Sequence, residues 1–290
     1  MTASLLYASS CTLGEAPMWH DGRKSCFWAD ICEQRLFEYN WLGQTTKSWK
    51  LDFHPSLIVQ DENDHLVLAL NGGLARFNTG SGDLHWLLDI EKDQIGHRCN
   101  DGACDQQGRL WVGTLDKTLK QGAGTLFCVD QNLKLQKKIE HATIPNGLVW
   151  TADNKKMYFI DSPTQTVQSF FYNGQTGNII FDKVIIRIPE EMGTPDGMCM
   201  DAEGMLWTSH WGGFGVYRWN PSNAQLIDRI HLPVPNVSSC AFVGEGLDHL
   251  LITTARQDLS AEELAKYPES GHVFLARPRV SGKKLFKCKL

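Results

Sequence analysis

The chain has 290 residues, 42% of them hydrophobic and 21% charged, a balance that permits a sizeable core and excludes wholesale disorder. Its formal net charge is −5, with Lys and Arg scattered along the sequence, which excludes the basic stripe that nucleic acid or anionic lipid would require. No apolar run approaches the ~20 residues of a bilayer span, and Met1 to Ser10 lacks the cationic and apolar regions of a secretory leader, so a cytoplasmic protein without membrane partners is expected. Ten Trp, thirteen Phe and 26 Gly favour many short strands joined by tight turns.

Taken in chain order, one strand–turn–strand frame recurs. Gly14-Glu-Ala-Pro-Met-Trp-His-Asp-Gly22 precedes a strand over Ser25–Asp30, and a degenerate copy, Ser56-Leu-Ile-Val-Gln-Asp-Glu-Asn63, leads into His65–Leu70. The clearest copies are Asn100-Asp-Gly-Ala-Cys-Asp-Gln-Gln-Gly-Arg-Leu-Trp111 and Asp196-Gly-Met-Cys-Met-Asp-Ala-Glu-Gly-Met-Leu-Trp207. Between them Pro145-Asn-Gly-Leu-Val-Trp-Thr-Ala-Asp153 precedes Lys156–Asp161, and after them Ser239-Cys-Ala-Phe-Val-Gly-Glu-Gly246 precedes His249–Thr253. Counted from Glu15, Ser56, Asn100, Asn146, Asp196 and Ser239, the separations are 41, 44, 46, 50 and 43 residues.

That is the period of a propeller blade. Third strands are expected at Gly73–Asn78, Gly124–Val129, Val167–Tyr172 and Gly215–Trp219, giving about four strands per unit. The fold class is therefore all-β, a six-bladed β-propeller occupying residues 1–290 as one domain. Leu5–Ala8 and Lys284–Leu290 are strand-like and are expected to complete a blade between them. Ser260-Ala-Glu-Glu263 is a capping box opening a short helix in the last blade. The nine Cys contain no C-x-x-C pair and are read as reduced, mostly buried thiols.

The first strand of each propeller blade lines the central channel, so the residues opening the repeats are expected to share one axis. Two carboxylates and two amides would meet there, at a cost of several kcal/mol for any carboxylate left unpaired. Glu15, Asn146 and Asp196 offer oxygen donors suited to one divalent metal at the centre, Ca²⁺ or Mg²⁺, with Mn²⁺, Fe²⁺ and Zn²⁺ as alternatives. Asp-Gly and Asn-Gly are also common turn formers. In these repeats, however, a separate Asp turn already fills that role, at Asp105–Gly108 and Asp201–Gly204. Arg98 is read either as a substrate-holding fork of donors or as the partner of a channel carboxylate. No Gly-x-Ser-x-Gly elbow and no dinucleotide fingerprint occurs.

Leu13-Gly-Glu-Ala-Pro-Met-Trp19, Arg98-Cys-Asn-Asp-Gly102, Gly108-Arg-Leu-Trp-Val-Gly-Thr114, Ile144-Pro-Asn-Gly-Leu148 and Pro195–Trp207 together resemble the SMP-30/gluconolactonase/luciferin-regenerating-enzyme family across nearly the whole chain. The resemblance implies metal ligands at Glu15, Asn146 and Asp196, with Asp196 also the catalytic acid/base, and substrate binding at Arg98 and Asn100. It implies a metal-dependent aldonolactonase acting on a small sugar lactone such as arabinono-, xylono- or gluconolactone, as a monomer or weak homodimer. A regucalcin-like calcium-binding protein and a non-catalytic binding propeller are the alternatives. The sequence departs from the family pattern after Thr114, where many relatives place an acidic group that reaches substrate. Here Asp116 comes early and Thr118 stands near that place.

Overall fold

The computed structural model describes residues 1–290. Its strands form six antiparallel four-stranded sheets, each a blade that meanders outward from its first strand. The chain divides into two compact units, residues 1–52 with 186–284, and residues 53–185 with 285–290.

The first unit opens with β1 (Ser4–Tyr7). Blade 1 is β2 (Gly14–His20), β3 (Ser25–Asp30), β4 (Arg35–Asn40) and β5 (Thr45–Lys50). In the second unit, blade 2 is β6 (Leu57–Gln60), β7 (Leu66–Leu70), β8 (Gly73–Phe77) and β9 (Leu84–Asp89). Blade 3 is β10 (His97–Cys104), β11 (Leu110–Asp116), β12 (Gly124–Val129) and β13 (Leu135–Ala142). Blade 4 is β14 (Pro145–Trp150), β15 (Lys156–Asp161), β16 (Thr166–Asn173) and β17 (Asn178–Arg187). The first unit then resumes with blade 5, β18 (Thr194–Met200), β19 (Leu206–Trp211), β20 (Gly215–Asn220) and β21 (Gln225–His231). Blade 6 is β22 (Val237–Val243), β23 (His249–Thr254), β24 (Val273–Ala276) and the N-terminal β1.

Burial falls from the inner to the outer strand of a blade, which is why the inner strands read as apolar runs and the outer ones as mixed. All seven residues of β22 are buried, whereas β5 alternates between exposed and half-buried positions. Trp28, Trp111 and Trp207, each in the second strand of its blade, are fully buried. Removing a side chain of this kind from water contributes about 2–3 kcal/mol. The Asp turns that close the first hairpins are saturated with donors. Asp201 accepts from the amides of Glu203 and Met205, from Trp207 Nε1 at 2.9 Å and from Arg218 Nε at 2.8 Å. Asp105 does the same with Gln107 N, Arg109 N, Arg109 Nε, Trp111 Nε1 and the Tyr172 hydroxyl. The degenerate second repeat keeps the device, with Asp61 accepting from Asn63 N, His65 N and Arg76 Nε.

The expected helix is α1 (Ala261–Lys266), with Ser260 as N-cap and both bonds of the capping box formed. The expected closing blade is half right. β1 supplies the fourth strand of blade 6, pairing Ser4 with Leu275 and Leu5 with Phe274, but Lys284–Leu290 forms no strand there. With the β24 edge already taken by β1, residues 285–290 run in the second unit instead, where Cys288 bridges Asp61 and is fully buried. The lysines flanking it find carboxylates, Lys287 with Asp64 and Lys289 with Glu62. All nine cysteines are free thiols, with Cys32 exposed. Burial pushes the Cys11, Cys99 and Cys128 thiols up to about 12, which keeps them protonated and unreactive.

Candidate functional site

A β-bulge recurs near the start of the first strand in five blades. One extra residue is inserted between Glu15 and Met18, Cys99 and Gly102, Asn146 and Leu148, Pro195 and Met198, and Val237 and Ser239. A bulge bends its strand and re-aims a side chain, and here it contains Asn100 and Asp196 and directly adjoins Glu15, Asn146 and Ser239, while blade 2, with Ser56, has none. Glu15, Asn100, Asn146 and Asp196 are all buried, so each carries a desolvation cost that a partner or a ligand must offset.

In the first unit, the first strands β18, β22 and β2 pack side by side. Their approach is close. A Cβ at Gly197 would lie 2.1 Å from Ser239 Oγ, and one at Gly14 2.6 Å from the Thr254 carbonyl oxygen. Glycine beside Asp196 and before Glu15 is thus required by backbone proximity. Glu15 Oε2 accepts from the Ala16 amide at 3.0 Å, and Ala16 takes a positive φ of 53° at the bulge.

In the second unit, Arg98, Asn100 and Asn146 form one hydrogen-bonded chain. Arg98 Nη1 donates to Asn100 Oδ1 at 2.6 Å and to the Cys99 carbonyl at 2.9 Å. Asn100 Nδ2 donates to the Pro145 carbonyl and to Asn146 Oδ1. Asn146 Nδ2 in turn donates to Ser162 Oγ at 2.7 Å. These bonds fix both amide orientations: the nitrogen of Asn146 is committed to Ser162, leaving Oδ1, with one lone pair beyond the Asn100 bond, as its ligating atom. Beside Asn100, loss of hydration pushes the half-buried Asp101 carboxyl up to about 6, opposed by the Gly102 amide that donates to it.

The donor chemistry fits a hard divalent cation. Glu15 and Asp196 offer carboxylate oxygens and Asn146 an oriented carbonyl oxygen. No group of three His, Cys, Asp or Glu side chains is arranged to hold a metal ion, so the oxygen-donor set would include the amide of Asn146.

Sequence reading missed the side chains that hold the incoming connections. Asp30, opposite Gly14, accepts from the amides of Thr12 and Leu13. Asp161, opposite Pro145, accepts from the amides of Thr143 and Ile144. His210, opposite Pro195, does the job with reversed polarity: Nδ1 donates to the Met192 carbonyl at 2.9 Å, and Nε2 pairs with Thr208 Oγ1. Burial drives the His210 pKa down to about 4, so it is a neutral, stacked partner of Tyr217 rather than a proton carrier. The detectable signal was spacing, since each brace lies 17 or 18 residues after its connection. Asp116 and Thr118 lie in one turn, with Thr118 N and Oγ1 both donating to Asp116 Oδ1. Those bonds hold the Asp116 carboxyl below its ordinary range.

Residues 13–256 match the SMP-30/Gluconolactonase/LRE-like region. The chain is 30% identical to regucalcin of Sus scrofa over 91% of its own length and 90% of the relative's. It is 29% identical to a Bacillus subtilis protein named "Putative sugar lactone lactonase YvrE", with 97% of both chains covered. The solved structure of a calcium-binding protein, regucalcin, from Agrobacterium tumefaciens superposes with a TM-score of 0.95 at 27% identity, over 100% of this chain and 98% of that one. The fold is that of an all-β six-bladed propeller, and the chain belongs to the SMP-30/gluconolactonase/LRE-like family.

Proposed function

We propose that the protein hydrolyses a sugar lactone to its aldonic acid with one divalent metal, held by Glu15, Asn146 and Asp196. The supporting observation is the bulge repeated at one place in the first strands, with four buried polar side chains, Glu15, Asn100, Asn146 and Asp196, at or beside it. The metal, when bound, supplies Lewis acidity toward the lactone carbonyl. Asp196 takes the proton from the attacking water and returns it to the ring oxygen, so that one water is consumed and one carboxyl and one hydroxyl appear. Arg98 and Asn100 hold the sugar hydroxyls. Asn100 aims the guanidinium, and Ser162 fixes the Asn146 carbonyl so that no reorganisation is needed when substrate arrives.

The test is a panel of pentono- and hexonolactones, assayed by acid release with each divalent metal in turn. Turnover should vanish on chelation and return with metal, and Asp196→Asn should lower kcat by about 10³ or more with an unchanged melting temperature. Full activity in Asp196→Asn, or hydrolysis indifferent to chelation, sinks the assignment. A second reading, calcium binding without turnover, is favoured by the description of the Agrobacterium relative as a calcium-binding protein. Saturable calcium binding with no acid release from any lactone would select it.

A further inference from the structure

Blade 3 departs from the bracing scheme of its neighbours. In blades 1, 4 and 5 the incoming connection is held by Asp30, Asp161 and His210 on the second strand. The matching residue in blade 3 is Thr114, opposite Cys99, but its hydroxyl donates to the Thr125 carbonyl on β12 and so faces away from the connection. The connection from β9 to β10 is secured differently. His97 Nδ1 donates to Glu91 Oε2 at 2.9 Å, and His97 Nε2 lies 3.8 Å from Asp116 Oδ2 across the terminal β10–β11 pair. All three side chains are largely buried, at 13, 12 and 20% exposure. Around them the Lys117 amide donates to the Gly96 carbonyl and the His97 amide to the Gln94 carbonyl. One imidazole thereby ties together three segments: the 90–96 connection, the first residue of β10 and the turn at 116–118.

His97 immediately precedes Arg98. Successive strand residues point to opposite faces, so Arg98 turns toward Asn100 while His97 turns toward Glu91 and Asp116. We propose that His97, clamped between Glu91 and Asp116, is a positioning residue for substrate recognition: it fixes the backbone that carries Arg98 and the 116–118 turn, and so sets lactone affinity without touching the reacting atoms. This rests on the lactonase reading above. It assigns specificity in this chain to a histidine–carboxylate clamp on the segment where Thr118 replaces the acidic group expected from the sequence.

The experiment compares His97→Leu with His97→Asn, because an Asn amide nitrogen stands where Nδ1 stood and can still donate to Glu91. With the best lactone of the panel and saturating metal, His97→Leu should raise KM about tenfold with kcat changed less than about twofold, and His97→Asn should recover most of the loss. Hydrogen exchange on the same variants reads the positioning without activity. The Lys117 and His97 amides should exchange about tenfold faster in His97→Leu, while β12 amides keep wild-type protection. An unchanged KM in an active His97→Leu enzyme overturns the proposal, and so does unchanged exchange at Lys117. If the wild type hydrolyses no lactone, the functional reading fails by itself, and the exchange result still decides whether His97 positions the turn.

Discussion

The two ends of a first strand use similar residues for opposite purposes, as blades 3 and 5 show. At the turn end, Asp105 and Asp201 are fully buried yet surrounded by donors, backbone amides on one oxygen and Trp and Arg side chains on the other. At the bulge end, Asn100 and Asp196 occupy positions where the ladder is interrupted. The turn-end carboxylates are structural rivets, whereas the bulge-end side chains sit where the strand is bent and its side chains are re-aimed. The sequence motif around each is a short polar residue near Gly. What separates the two places is the closed turn at one end and the interrupted ladder at the other, which depends on tertiary placement.

Substitutions can break this contrast, beginning with the rivet. Asp105→Ala leaves Arg109, Trp111 and Tyr172 without their shared acceptor and should destabilise by about 3–5 kcal/mol. Urea unfolding would show it, and a loss under 1 kcal/mol would mean that the turn end is as tolerant as the bulge end. Next comes the brace of reversed polarity. His210 stays neutral in the fold down to about pH 4 while the unfolded chain protonates near 6.5, so its stabilisation is complete above pH 6.5 and is lost as pH falls toward 4, by about 3 kcal/mol in all. Subtracting the stability curve of His210→Asn, which keeps a donor for the Met192 carbonyl, should isolate that slope. A flat difference between pH 6.5 and 4 would refute it. Asp101 runs in the other direction, because its raised carboxyl takes a proton in the fold before the unfolded chain does, so Asp101→Asn should remove a gain in stability between about pH 6 and 4.

The bulge end should respond mainly in function. Asn100→Ala removes an acceptor from Arg98 and a donor from Asn146, for about 1–2 kcal/mol of stability but at least a tenfold rise in KM for the lactone. Ser162→Ala is the smallest change. It orphans the Asn146 amide nitrogen and should cost about 1 kcal/mol, with metal affinity measured by calorimetry falling a fewfold.

Much of the architecture was legible because its cause is periodic. Glycine, Asp turns and Leu-Trp pairs recur wherever a hairpin must close over a buried Trp, and the strands over Ser25–Asp30 and Lys156–Asp161 were readable to the residue. Lys284–Leu290 misled because alternation of Lys with apolar residues suits an edge strand as well as an irregular strap pinned by Asp64 and Glu62. Asp30, Asp161 and His210 were hidden for another reason. They share a place and a task but not a residue type, since a connection can be held by its amides or by its carbonyls. The candidate residues could be named from the repeat, whereas the bonds of Asn100 and Asn146 to Pro145 and Ser162 could not, because those partners are fixed by where neighbouring strands come to lie.

The pairing of Ser4 with Leu275 joins residues 271 positions apart in sequence. Blade 6 therefore cannot be completed until β24 has been made, about 270 residues after β1, and a β24 edge not yet covered by β1 is open to other chains. Folding of this protein should accordingly show a late, slow phase, with its greatest risk of aggregation just before that last strand seats.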